Sequence, residues 1–67
     1  MVDTVQLRKL RCSQGYFTAA SFAKALGMKR ANYYHREIGK VPFSALEVVA
    51  VCRLLEIPLE DGVKILT

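Results

Sequence analysis

Apolar residues recur along this chain at intervals of three and four, and no stretch of useful length alternates as a strand would. The first segment, about Thr4 to Cys12, places Val5, Leu7, Leu10 and Cys12 as its apolar positions, and Gly15 stops it. The second opens at Thr18, a good capping residue, and carries Ala19, Phe22, Ala23 and Leu26 at helical spacing up to Gly27. Phe17 before the cap and Phe22 after it have the spacing of a hydrophobic staple. The third runs from near Lys29 to Ile38, where Gly39 ends it and Pro42 keeps the next loop out of a helix. The fourth starts at Ser44, with Glu47 as capping-box partner. It carries Leu46, Val49, Ala50, Cys52, Leu54 and Leu55 to about Glu56, and as the most apolar segment is expected at the centre. Pro58 marks the start of a short last helix, Leu59 to Leu66.

The pattern predicts an all-α fold, a compact bundle of about five short helices in a single domain over residues 1–67. Residues 18–38 are the informative part. Two short helices meet at a turn near Gly27-Met28, with the small Ala23 four residues before the glycine. A helix-turn-helix needs this spacing: Ala23 admits close crossing, Gly27 a positive φ in the turn, and Tyr33 an anchor in the core.

A chain of 67 residues with 52% hydrophobic and 24% charged residues is globular but has a small core, so a partner subunit is the expected supplement to stability. Cys12 and Cys52 are too few for a disulfide scaffold and too isolated for a zinc site. They are expected to be small apolar fillers on helices. No apolar run is long enough to span a bilayer, and Met1–Val5 lacks the core of a signal peptide, so a cytoplasmic location is expected.

Charge is distributed unevenly. Residues 1–40 hold eight basic residues against Asp3 and Glu37, a balance of +6. Residues 41–67 hold Arg53 and Lys64 against Glu47, Glu56, Glu60 and Asp61, a balance of −2. One half is suited to meet a polyanion and the other is not. Catalysis finds no support: His35 is the sole histidine, neither cysteine has an activating base nearby in sequence, and no glycine-rich phosphate loop follows a strand. No cofactor or metal is expected.

The pieces LRKLRCSQG, FTAASFAKALGMKRANYY, REIGK and CRLLEIPLED together resemble the helix-turn-helix domain shared by phage Cro and repressor proteins and many small bacterial regulators. The resemblance runs from about Leu7 to Val63 and implies a lambda-repressor-like bundle that binds duplex DNA. Departures are Lys29 where the family has a capping Ser or Thr, and Ala19 where it often has Gln. Arg36 stands where an apolar residue is usual, a contact that Ile38 is expected to supply. The loop at Gly15-Tyr16-Phe17 is one residue longer than typical.

On this resemblance the third helix lies in the major groove, with Lys29, Arg30, Ala31, Asn32, Tyr34 and His35 as candidates for base contact. Arg30 can donate twice to guanine, and Asn32 can pair with adenine or reach a phosphate. Thr18, Lys40 and Ser44 are candidates for phosphate contact, alongside plain capping for the two hydroxyls. Arg11 and Glu37 are expected to pair and orient the third helix. Val63, Ile65 and Leu66 are expected at a surface for a weak homodimer. The remaining aromatics, Tyr16, Phe17, Phe22, Tyr33 and Phe43, fit core positions better than base stacking.

The resemblance thus implies a repressor of a two-fold symmetric operator. RNA polymerase is a further candidate partner, through the acidic segment Glu56–Asp61. Two alternatives remain: a protein-interaction module of antitoxin or adaptor type that holds its partner on the third helix, and a basic RNA binder.

Overall fold

The computed structural model describes residues 1–67 as five helices in chain order: α1 Thr4–Ser13, α2 Ala19–Leu26, α3 Arg30–Glu37, α4 Ala45–Leu55 and α5 Leu59–Leu66. There are no strands, as the periodicity predicts. The bundle divides into two contacts: α3 packs on α2, while α5 packs on α4 and on α1. α2 also touches α4 and joins the two halves.

Side chains at the caps set the starts of the helices. Asp3 Oδ1 accepts from the Gln6 amide at 3.1 Å, and Thr18 Oγ1 from the Ser21 amide at 3.1 Å. Ser44 and Glu47 form a reciprocal capping box, with Oγ accepting from the Glu47 amide and Glu47 Oε1 from the Ser44 amide. Lys29, before α3, makes no side-chain cap. Pro58 precedes α5 in an extended conformation.

One device ends four of the helices. A residue at positive φ follows the last turn, and its amide and the next one fold back on the helix carbonyls, as when Gly27 N donates to Lys24 O and Met28 N to Ala23 O. Gly15, Gly27 and Gly39 occupy this position in three of them, and Glu56, at φ 56°, in the fourth. At Gly27 a Cβ would meet nothing within 4 Å, so its φ of +76°, and not lack of space, selects glycine.

The core is threaded by a ladder of aromatic rings. Tyr16 meets Phe22 at 5.0 Å between centroids, Phe22 meets Tyr33 at 5.3 Å, and Tyr33 meets Phe43 at 6.4 Å, each edge to face. The ladder ties the α1–α2 loop, α2, α3 and the α3–α4 loop into one unit. Leu7, Ala23, Val48, Val51, Cys52, Leu55 and Leu66 complete the buried set.

Several expected positions differ. Phe17 is 74% exposed, so no staple forms with Phe22; Tyr16 takes that contact, edge-on. Cys12 and Val5 are exposed, because α1 buries only Leu7 and Arg11. Leu46 is 83% exposed, because Val48, Val51, Cys52 and Leu55 form the inward stripe of α4. Leu66, expected at a partner surface, is 2% exposed and sits in the core, because α5 turns Gly62 and Leu66 inward. Ile65 is half-buried against the core and accepts through its carbonyl from the Asp3 amide at 2.8 Å. Only Val63 of that trio faces outward.

α5 lies close to α4 because residue 62 has no side chain. A Cβ on Gly62 would fall 2.0 Å from Cys52 Sγ. Burial, and the nearby Asp61 charge, raise the Cys52 thiol above its ordinary pKa, so it stays protonated and behaves as an apolar filler. Alanine at an ordinary helix position would stabilise by up to about 1 kcal/mol. Here overpacking wins, and Gly62→Ala is expected to destabilise by about 1–3 kcal/mol in a denaturant titration. Adding Cys52→Ala should return part of that loss, since it removes the sulfur.

Candidate nucleic-acid interface

Tyr33 and Glu37, four residues apart, turn one face of α3 into the protein. The opposite face therefore carries Ala31, Asn32, Tyr34 and His35, with Lys29 and Arg30 at its start. Of these, Lys29, Arg30, Ala31, Asn32 and Tyr34 are exposed, and His35 is half-buried. None of their side chains makes a hydrogen bond or ion pair within the chain. The Asn32 and His35 carbonyls are engaged: Asn32 O accepts from Arg36, and His35 O accepts from the Lys40 and Val41 amides. The first amides of α3 have no side-chain cap, which leaves the positive end of the helix open to an anion or to solvent.

The three candidate phosphate residues all lie at helix boundaries. Thr18 and Ser44 are exposed caps whose hydroxyl oxygens accept from backbone amides, leaving each hydroxyl proton free to donate outward. Lys40 is exposed just after α3, its backbone fixed by the amide bond to His35 O at 2.8 Å.

A buried ionic cluster holds this helix. The Glu37 side chain is 1% exposed. Its Oε1 accepts from the Tyr33 hydroxyl at 2.9 Å and lies 3.1 Å from Arg11 Nε. Arg8, half-exposed on α1, approaches Oε2 at 3.5 Å. The Arg11 Nε–H is not aimed at the carboxylate, so that contact is an ion pair without hydrogen-bond alignment, while Arg11 Nη1 donates to Tyr16 O at 3.0 Å. Thr4 Oγ1 donates to the Glu37 carbonyl at 2.8 Å. Burial, the Glu37 charge and the hydrogen bond push the Tyr33 phenol far above its ordinary pKa, so it remains a donor.

A second pair ties α3 to α4. Arg36 Nε lies 2.8 Å from Glu47 Oε1, and its Nη1 donates to Asn32 O at 2.8 Å. Burial opposes ionisation of Glu47, but the Ser44 amide and Arg36 outweigh it and hold its carboxyl below the ordinary value. Arg36 thus makes a polar bridge where an apolar contact was expected. Ile38 does not supply that contact: it is 42% exposed and shares the outward face with Tyr34.

Sequence reasoning missed the Tyr33 hydroxyl, Arg8, Thr4 and the Arg36–Glu47 bridge. Only the spacing of four between Tyr33 and Glu37 hinted at the first. Elsewhere, no three His, Cys, Asp or Glu side chains gather to hold a metal ion. His35 has no carboxylate or thiol as a hydrogen-bond partner. No helix is long and apolar enough to cross a membrane.

A family model described as helix-turn-helix matches residues 7–61, from within α1 to the first turn of α5. Searches of curated proteins and of solved structures each return no match.

Arg11→Met is expected to destabilise the fold by about 3–5 kcal/mol, since it leaves a buried carboxylate with only a half-exposed arginine beside it. Combining it with Glu37→Gln should restore part of the loss, because Gln can still accept from Tyr33 and carries no charge. Chemical denaturation of the three variants measures this, and a single-variant loss under about 1 kcal/mol would contradict it.

Proposed function

The chain belongs to the helix-turn-helix family, and from that premise we propose that it is a sequence-specific regulator that binds duplex DNA. The carrying observation is the asymmetry of α3: Tyr33 and Glu37 are locked inside, while Lys29, Arg30, Asn32 and Tyr34 are exposed and unengaged. A basic helix start with free donors suits the major groove, where guanine offers two acceptors and adenine an acceptor and a donor. In this reading Lys29, Arg30, Ala31, Asn32, Tyr34 and His35 meet base edges. Thr18, Lys40 and Ser44 grip phosphates and set the register.

The +6 balance of residues 1–40 supplies the non-specific attraction, which depends on salt. Two copies on a palindromic site with half-sites about one helical turn apart are the natural arrangement for so small a reader. In this reading, occupying the promoter represses by excluding polymerase. Contact with RNA polymerase through Glu56–Asp61 is the activating variant of the same reading.

A second reading draws on Tyr34 and Ile38, two exposed apolar side chains on the outward face of α3. They would suit a protein partner of antitoxin or adaptor type. Lys29 and Arg30 beside them favour DNA, since an apolar partner would leave both charges without a counterpart.

Arg30→Ala is expected to lose discrimination at one base pair, by about 1–3 kcal/mol, with a small drop in affinity for unrelated duplexes. Competition binding against single-base variants of the preferred site measures this. Uniform weakening across all sequences would overturn base readout by Arg30.

A further inference from the structure

Two parts of the candidate interface sit on helices that hardly touch. α3 carries the exposed candidates for base contact, and Ser44 caps α4 with a hydroxyl proton free to donate outward. α3 packs on α2, and α4 packs on α5 and α2, but α3 has no extensive contact with α4. The joining segment, residues 38–44, turns at Gly39 and is pinned to the core by Phe43, whose ring meets Tyr33. Beyond that ring contact, one side chain spans the gap. Arg36 Nε donates to Glu47 Oε1 at 2.8 Å, the only side-chain hydrogen bond or ion pair between α3 and α4.

The bridge extends past these two residues. The same Glu47 Oε1 accepts from the Ser44 amide at 2.8 Å, and Ser44 Oγ accepts from the Glu47 amide at 3.2 Å. At the other end, Arg36 Nη1 donates to Asn32 O at 2.8 Å, one turn back toward the start of α3. A continuous chain of hydrogen bonds therefore runs from the backbone of Asn32, through Arg36 and Glu47, to the cap of α4.

We infer that Arg36 is a positioning residue for base readout, which fixes the register between α3 and the phosphate-facing cap Ser44. The inference rests on the reading that α3 meets base edges and Ser44 a phosphate. A planar guanidinium donates in fixed directions, so it sets an angle as well as a distance. An apolar side chain at position 36 would fill space without fixing direction. The Arg36 and Glu47 side chains are 21% and 22% exposed, so the pair adds little to stability. Its effect is geometric. Phosphate contacts decide where a reading helix sits, and a shift at Ser44 relative to α3 displaces every base contact together. Arg36 and the Ser44 amide hold the Glu47 carboxyl below its ordinary pKa, so the bridge is ionic at neutral pH.

The probes are the duplex preferred in a selection from random sequence and a scrambled duplex of equal length. Arg36→Met is expected to lower the preference for the first over the second about tenfold, by loosening the register. Affinity for the scrambled duplex should fall less than about twofold, with an unchanged salt slope, because non-specific attraction needs charge and not register. Glu47→Gln keeps an acceptor for the Ser44 amide, so the capping box survives, and should lower the preference about threefold. It also carries the test if circular dichroism shows Arg36→Met unfolded. The double variant should match Arg36→Met alone, because both changes break one bridge.

An unchanged preference in the folded variants would overturn the inference. Losses that add in the double variant would also overturn it, since Arg36 would then act independently of Glu47. So would a salt slope lowered by about 0.9 in Arg36→Met, which would make Arg36 a phosphate contact in its own right. If the unmodified chain prefers no duplex, the DNA reading falls and this inference falls with it. A preferred duplex that tolerates both variants overturns the inference alone.

Discussion

One buried carboxylate governs the geometry of this molecule. Glu37 sits at the end of α3 with almost no exposure, and an isolated charge there would be strongly unfavourable. Its neighbours remove that penalty: the Tyr33 hydroxyl from its own helix and Arg11 and Arg8 from α1. The cost of separating them acts as a restraint on direction. α3 cannot roll about its axis without pulling Glu37 from Arg11 or Tyr33 from its place between Phe22 and Phe43. A helix that reads base edges needs such a restraint, because a small rotation moves every side chain to a different atom. The cluster therefore links packing to specificity while touching no DNA itself in the proposed reading.

The rest of the fold works around a small core. With 13 buried residues in 67, stability depends on features that add contact without adding chain. The edge-to-face aromatic ladder is one, since each ring covers much area and joins two elements. The close approach of Gly62 to Cys52 is another, drawing α5 onto α4. The exposed Leu59–Val63 row is what remains when eight residues of helix must cover both α1 and α4.

Much of this was legible in the sequence, for reasons that are local. Gly15, Gly27 and Gly39 announce helix ends because few other residues tolerate positive φ. Ser44 with Glu47 announces a helix start because the capping box closes within four residues. What was not legible depends on which way a helix turns in space. Phe17 and Tyr16 are adjacent aromatics, and only the course of the loop makes Tyr16 the one that meets Phe22. Leu66 and Val63 both belong to the apolar set of α5, and only the path of the helix over α1 and α4 buries the first and exposes the second. Arg36 looked like a departure from an apolar position; its bridge to Glu47 depends on a residue eleven positions away. Among the candidate contact residues, spacing from Tyr33 was enough to name the outward face of α3.

The most direct test of the central claim is a selection from random duplex DNA at near-physiological salt, sequenced after a few rounds. The account predicts recovery of a motif with two-fold symmetry, its half-sites about one helical turn apart. A retained pool with no motif, or no retained duplex at all, would contradict it.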